Sequence, residues 1–180
     1  GPLWHPQRQC LLWLDILSQE LFEAQADGSA ARVFGFGEPV SAAGWIDAST
    51  VMVAGASGFT RLNLDTGERK HVMPLEEDIP TNRSNDGRVD AHGGLWIGTM
   101  DRGINSPSGS LYRYHQGKVT RLRGDIFCPN STAFSPDGKR AYFADTLAQQ
   151  IIAFTLDETG LPVGAPEVFI DMTAEGLHPD

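Results

Sequence analysis

The sequence has few cysteines, few basic residues and no long apolar run. Cys10 and Cys128 are its two cysteines, with no CxxC spacing and no neighbouring histidine set, so neither a zinc site nor a redox pair is indicated. We expect both thiols to be reduced and buried. The longest apolar runs, such as LLWLDIL at 11–17, are too short to span a bilayer, and no basic-then-apolar leader is present. These features predict a cytoplasmic protein.

Basic residues are outnumbered by acidic ones. Lysine and arginine number 14 against 23 aspartates and glutamates, which gives a formal net charge of −9. The average field therefore repels phosphate groups, and neither nucleic acid nor a membrane surface is expected as a partner. Acidity suits solubility, and clustered carboxylates also suit a metal cation.

Four short apolar runs recur along the chain at regular spacing. They are LLWLDI at 11–16, VMVAGA at 51–56, LWIGTM at 95–100 and AYFADT at 141–146, and successive runs begin 40 to 46 residues apart. This spacing is typical of β-propeller blades. Each run is followed by a stretch of nearly alternating polar and apolar residues that ends in a polar turn, which predicts a β-hairpin. No stretch holds the 3.6-residue apolar period of a helical domain.

These repeats predict an all-β protein with one β-propeller domain over residues 1–180, covering roughly the first four blades. Each unit is expected to consist of a turn, an apolar inner strand, a tight loop, an alternating strand and an outer strand. A half ring would leave unpaired strand edges in water, which favours aggregation. We therefore expect a segment of a longer, closed propeller, with the C-terminal blades missing.

Several separated motifs together resemble the SMP-30/gluconolactonase family, also called the regucalcin family. They are GPLWHPQRQCLLWLDI, RSNDGRVDAHGGLWIGTM, GSLYRY, PNSTAFSPDGKRAYFADT and a terminal HPD. The resemblance extends over the whole chain. It implies a six-bladed β-propeller with one divalent cation in its central channel, which hydrolyses a sugar lactone such as glucono-, xylono- or arabinonolactone.

The resemblance also implies a set of site residues. Asn130 in CPNST and Asp180 in HPD match two metal-binding positions of the family, and the glutamate of a third would precede Gly1. Ser131 stands where the family usually has glycine. Arg83 and Asn85 match an R-x-N motif that contacts the substrate in relatives.

The substrate-binding glutamate of animal-type relatives has no counterpart here. Residues 101–103, Asp-Arg-Gly, follow Met100 at the place where that glutamate is expected shortly after GTM. The contact is therefore changed or absent, and the identity of the lactone stays open.

The chemistry of lactone hydrolysis is consistent with these residue types. The reaction forms a tetrahedral oxyanion, and a divalent cation can polarise the ester carbonyl and help generate the attacking group. Asparagine and aspartate oxygens suit Ca²⁺, Mg²⁺ or Mn²⁺, while Fe²⁺ and Zn²⁺ stay open. Asp180 is expected to serve as both ligand and catalytic base. Neither Ser84 nor Ser131 lies in the G-x-S-x-G motif of serine hydrolases.

Several of the notable residues are predicted to be structural. Asp86-Gly87 is predicted to form a turn before a strand, and Trp13 and Trp96 are predicted to lie in the core. Asp15 and Asp145 end equivalent strands, which indicates a repeated structural hydrogen bond.

Two other functions remain as alternatives to a lactonase. One is a non-enzymatic propeller that binds calcium or a partner protein, and the other is a related metal-dependent esterase. The sequence leaves the oligomeric state open.

Overall fold

The computed structural model describes residues 1–180 and consists of strands joined by turns, without any helix. Sixteen strands form four antiparallel sheets of four strands, and within each sheet the strands follow one another in chain order. The predictions of an all-β fold and of four blade-like repeats are confirmed. No helix is available that could span a membrane. The chain divides into two compact units, residues 1–84 and 85–180.

The first unit holds two complete sheets. The first sheet contains β1 (Leu3–His5), β2 (Cys10–Asp15), β3 (Glu20–Gln25) and β4 (Arg32–Gly35). The second sheet contains β5 (Val40–Trp45), β6 (Thr50–Gly55), β7 (Gly58–Asn63) and β8 (Arg69–Pro74). Apolar side chains of β2 and β3 pack against those of β6 and β7, with Leu12, Leu21, Val51 and Leu62 fully buried.

The second unit holds the other two sheets, apart from residues 82–84, where β9 begins. The third sheet contains β9 (Asn82–Val89), β10 (Leu95–Asp101), β11 (Gly109–His115) and β12 (Lys118–Ile126). The fourth contains β13 (Pro129–Phe134), β14 (Arg140–Asp145), β15 (Gln150–Leu156) and β16 (Pro162–Asp171). Trp96 of β10 is 1% exposed and packs edge-on against Phe134 and Phe154. Its predicted place in the core is confirmed, whereas Trp13 is half-buried and stacks on Phe22.

The predicted order of strands within a repeat was wrong in one respect. Each apolar run is the second strand of its sheet, because a further strand precedes it and pairs with it. Asp86 and Gly87 lie inside one of these preceding strands, β9, and do not form the predicted turn. Asp86 accepts a hydrogen bond from the backbone N–H of Thr132 at 2.9 Å, so it joins β9 to β13.

A buried ion pair fixes the turn that leads into β10. The Asp90 carboxylate accepts hydrogen bonds from Arg113 Nε at 2.6 Å and from Trp96 Nε1 at 3.0 Å. Its other oxygen accepts the backbone N–H groups of His92 and Gly94, each at 2.8 Å. One carboxylate therefore closes the turn and neutralises a buried guanidinium.

Apolar side chains remain exposed on one face of the first sheet and on β16 of the fourth. Trp4 and Leu11 are cross-strand partners, and they are 43% and 37% exposed. On β16, Val168 and Phe169 are 52% and 51% exposed. Contiguous exposed apolar groups of this kind mark surfaces that other protein elements can cover.

Candidate functional site

The second unit brings two of the predicted site residues into direct contact. Asn85 lies in β9, and Asn130 lies near the start of β13. The Asn85 Nδ2 donates to the side-chain oxygen of Asn130 at 2.8 Å and to the backbone carbonyl of Pro129 at 2.9 Å. Both side chains are half-buried, so they are held in place and can still be approached by a small molecule.

Thr146 extends this contact toward the segment that carries Asp180. The Asn130 Nδ2 donates to Thr146 Oγ1 at 2.8 Å, and Thr146 Oγ1 donates to the Pro179 carbonyl at 2.7 Å. Asp180 follows Pro179 directly and is exposed. The sequence prediction missed Thr146, since a threonine at the end of an apolar strand carries no local signal of this long-range contact.

A break in the pairing of β13 sets the position of Asn130. Asn130 pairs with Ala144 and Ala133 pairs with Tyr142, so β13 has one more residue than β14 between these two pairs. Ser131, in this bulge, has a φ of +53°, in the left-handed region that favours glycine. The glycine that the family resemblance implies at this position would adopt this φ without strain.

Two close contacts hold the start of β13. Asp145 accepts the backbone N–H groups of Phe127 and Cys128, each at 3.1 Å, so its structural role is confirmed. The predicted repetition was wrong, because Asp15 instead accepts the backbone N–H groups of Leu17 and Ser18 in its own turn. Gly98 of β10 faces Pro129, and a Cβ atom at this glycine would lie 2.4 Å from the proline side chain. Only glycine therefore permits this approach of the two strands.

The sulfur atom of Cys128 lies beside the asparagine pair. Cys128 Sγ is 3.7 Å from Asn130 Nδ2 and 3.9 Å from Met100 Sδ. Cys10 and Cys128 are both free thiols, as predicted, but only Cys10 is buried. Cys128 is half-buried, so its predicted burial was only partly correct.

Arg83 lies in the same strand as Asn85, at the end of the first unit. The two side chains are separated by one residue, so they project from the same side of β9, while the intervening Ser84 is buried. The Arg83 guanidinium donates to the Ser84 carbonyl at 2.9 Å. The Ser84 hydroxyl accepts a hydrogen bond from Ser41 at 2.7 Å, which anchors this part of the strand.

Asp101 follows Met100 but is occupied by its own loop. The backbone N–H groups of Asn105 and Gly103 donate to its carboxylate at 2.9 and 3.1 Å. These hydrogen bonds lower the pKa of the Asp101 carboxyl below its usual value. The residue is 8% exposed, and its carboxylate stabilises the loop at residues 101–105 through these hydrogen bonds.

The available donors fit a hard divalent cation with few protein ligands. No group of three or more histidine, cysteine, aspartate and glutamate side chains comes together anywhere in the chain, so a closed site of the zinc type is absent. The Asn130 Oδ1 accepts one hydrogen bond, from Asn85, and an amide oxygen has a second lone pair. That oxygen and the carboxylate of Asp180 are the hard donors that Ca²⁺, Mg²⁺ and Mn²⁺ prefer.

The four-stranded antiparallel sheets define a β-propeller-type protein in which polar side chains of β9 and β13 form a cluster. The family model described as SMP-30/Gluconolactonase/LRE-like region matches residues 1–180, and the chain belongs to this family. The predicted family resemblance is thereby confirmed.

Named relatives include two lactonases. The chain is 32% identical over 166 residues to 6-deoxy-6-sulfogluconolactonase of Pseudomonas putida, covering 89% of this chain and 56% of that protein. It is 31% identical over 156 residues to L-arabinolactonase of Azospirillum brasilense, covering 84% of this chain and 52% of that protein. The chain therefore spans about half the length of these relatives.

A solved structure shares the fold closely. The calcium-binding protein regucalcin of Agrobacterium tumefaciens superposes with a TM-score of 0.92 at 41% identity, over 96% of this chain and 59% of that one. At this level of identity, the arrangement of strands within the blades is shared.

Proposed function

We propose that this chain is part of a divalent-metal-dependent sugar lactonase and carries much of its active site. The contact between Asn85 and Asn130, linked through Thr146 to the residue before Asp180, carries the proposal. It joins a predicted substrate residue to a predicted metal ligand by a 2.8 Å hydrogen bond. Membership of the family and the two lactonase relatives support the reaction class.

In the proposed site, Asn130 and Asp180 would hold the cation, which would supply Lewis-acid polarisation of the lactone carbonyl. Asp180 also accepts a proton from the attacking water, because a carboxylate has a second oxygen available. The hydroxyl of that water adds to the carbonyl carbon, the ring C–O bond breaks, and the ring oxygen takes up the proton that Asp180 accepted, which gives the hydroxy acid.

Arg83 and Asn85 orient the sugar in this proposal. The guanidinium of Arg83 presents several N–H donors in a fixed plane, which suits neighbouring hydroxyls or a carbonyl oxygen. Asn85 already commits both Nδ2 hydrogens, to Pro129 and Asn130, so its side chain is fixed before substrate binds. A prepositioned contact of this kind lowers the entropic cost of orientation.

The proposed full-length enzyme is a single-domain, six-bladed propeller in the cytoplasm, acting on a small-molecule lactone. Further blades would cover the exposed apolar side chains of the first and fourth sheets, including Trp4 and Phe169. Gel filtration and dye binding can test this, since the 180-residue segment should expose more apolar surface per residue than the full-length protein.

The direct test is hydrolysis of a panel of aldonolactones by the full-length gene product, followed by pH-stat titration. The protein is stripped with chelator and resupplied with Ca²⁺, Mg²⁺, Mn²⁺, Fe²⁺ or Zn²⁺, and Asn130→Ala is measured in parallel. Asn63→Ala is the matched control, because Asn63 accepts only the backbone N–H groups of a turn at 2.9 Å. Turnover should return with a metal and fall sharply in Asn130→Ala alone.

A calcium-binding protein without catalysis is the second candidate. The solved regucalcin relative is described as calcium-binding, and the oxygen donors at Asn130 suit that cation. Metal binding without turnover of any lactone would favour this function, and turnover of other esters alone would favour a related esterase.

A further inference from the structure

We propose that Thr146 is a positioning residue that fixes the amide orientation of Asn130 and ties the Asp180 segment to it. The inference rests on the proposed function, because it assigns how that metal site is built. It concerns a residue to which the family resemblance assigns no role and that would not itself touch the substrate.

Every polar atom of Thr146 takes part in a hydrogen bond. Its backbone N–H donates to the Cys128 carbonyl at 2.9 Å, and its own carbonyl lies 3.1 Å from His178 Nδ1. Its hydroxyl oxygen lies 2.8 Å from Asn130 Nδ2 and 2.7 Å from the Pro179 carbonyl oxygen. One residue thus links the start of β13 to the segment at 178–179.

The direction of these bonds follows from the donor inventory. The Pro179 carbonyl can only accept, so it takes the single hydroxyl hydrogen of Thr146. The hydroxyl oxygen must then accept from Asn130, and the Asn130 atom that faces it must be the amide nitrogen. The amide oxygen of Asn130 is therefore directed away from Thr146.

The other side of the asparagine pair gives the same assignment independently. The Pro129 carbonyl can only accept, so the Asn85 atom that faces it at 2.9 Å must be the amide nitrogen. The same nitrogen lies 2.8 Å from Asn130, whose facing atom must therefore be the oxygen. Two backbone carbonyls, those of Pro129 and Pro179, thus fix the orientation of Asn130 from opposite ends.

This arrangement directs a hard oxygen donor into the candidate metal site and holds it there. Without the hydroxyl group of Thr146, the amide of Asn130 is fixed from one side only, and the Pro179 carbonyl loses its donor. Side chains that orient a metal ligand typically contribute about 10- to 100-fold to metal affinity. We expect a loss of that size when the hydroxyl is removed.

The test compares Thr146→Val with Thr146→Ser in the full-length protein. Valine keeps the shape and removes the hydroxyl, while serine keeps the hydroxyl and removes a methyl group. Calcium and manganese affinities are measured by isothermal titration calorimetry, which does not depend on turnover. Thr155→Val is the matched control, because Thr155 is an exposed threonine in β15 of the same sheet.

The expected result is a metal affinity about 10- to 100-fold weaker in Thr146→Val, with affinities close to wild type in Thr146→Ser and Thr155→Val. Thermal unfolding without metal separates this effect from general damage to the fold. Equal affinities in Thr146→Val and wild type would overturn the assignment of Thr146 while leaving the lactonase proposal intact. Equal losses in Thr146→Val and Thr146→Ser would also overturn it, because packing would then explain them.

A different pattern identifies failure of the proposed function. If wild-type protein neither binds a divalent cation nor hydrolyses a lactone, the metal site itself is wrong, and the role of Thr146 as its positioning residue is rejected with it.

Discussion

Replacing Asp90 by alanine leaves the buried guanidinium of Arg113 without its carboxylate partner. The two side chains are 1% and 3% exposed, and Arg113 Nε lies 2.6 Å from Asp90 Oδ2. Arg113 Nη2 is buried and makes no hydrogen bond. Removing one partner of a buried pair typically costs about 3–5 kcal/mol.

The loss should be at the upper end of this range. Asp90 also accepts the Trp96 indole N–H and two backbone N–H groups, and unmade buried hydrogen bonds cost about 1–3 kcal/mol each. For a chain of this size, 1 kcal/mol lowers the melting temperature by about 2–4 °C. A loss of about 5 kcal/mol therefore predicts a melting temperature lower by about 10–20 °C.

The pH dependence gives a second measurement on the same residue. Burial alone would raise the pKa of Asp90, but the hydrogen bond from Arg113, the Gly94 N–H and the charge of Arg113 lower it on balance. The stabilisation is therefore fully present above the unfolded pKa of about 3.9 and is lost as the pH falls through the lower folded value. The difference between wild type and Asp90→Ala should shrink below about pH 4.

The assay is thermal unfolding followed by circular dichroism, with urea unfolding to confirm the change in free energy. Asp47→Ala is the matched control, because Asp47 closes the corresponding turn before β6 by accepting two backbone N–H groups but is exposed. A decrease in Asp90→Ala no larger than in Asp47→Ala would refute the reasoning. A further variant, Asp90→Leu with Arg113→Met, should recover much of the loss, since it removes both charges.

Three further predictions follow from close contacts, backbone strain and thiol exposure. Gly98→Ala should cost about 1–3 kcal/mol in unfolding free energy and weaken metal affinity, because its methyl group would overlap the proline of β13. Gly35→Ala, in open space, should change neither quantity. An unfolding free energy of Gly98→Ala equal to that of wild type would contradict the contact. Ser131→Gly should stabilise the protein by up to about 1 kcal/mol in urea unfolding, since glycine accepts the positive φ without strain, and a loss of stability would contradict that view. Burial, helped by a hydrogen bond to a glutamate, raises the pKa of the Cys10 thiol. Iodoacetamide at pH 8 should therefore label the half-buried Cys128 first, as followed by mass spectrometry, and faster labelling of Cys10 would refute this.

The sequence predicts the apolar second strand of each sheet well and the first strand poorly. The runs that became β2, β6, β10 and β14 are apolar because their side chains are buried in the sheets, so their spacing is visible in the sequence. The first strands lack this signal. β9 has the sequence NRSNDGRV, whose polar and glycine residues resemble those of a turn. These residues are polar because they form hydrogen bonds to other strands, as Asp86 does to Thr132.

The candidate site shows the same division. Asn85 and Asn130 could be predicted because family motifs mark them, and the structure places them 2.8 Å apart. Thr146, Gly98 and Cys128 could not be predicted, since their roles depend on contacts across 16 to 33 positions of the chain. The roles of Arg83 and Asn85 in substrate binding, and of Asn130 and Asp180 in metal binding, remain predictions.

The consecutive order of strands within each sheet has a consequence for how the chain folds. Every pairing joins strands that are neighbours in sequence, so forming each pair closes only a short loop and loses little chain entropy. Folding rates rise as contacts become more local, and a nascent chain begins to fold before synthesis ends. Each sheet can therefore complete its strand pairing on the ribosome as soon as its own four strands have emerged, without waiting for distant sequence.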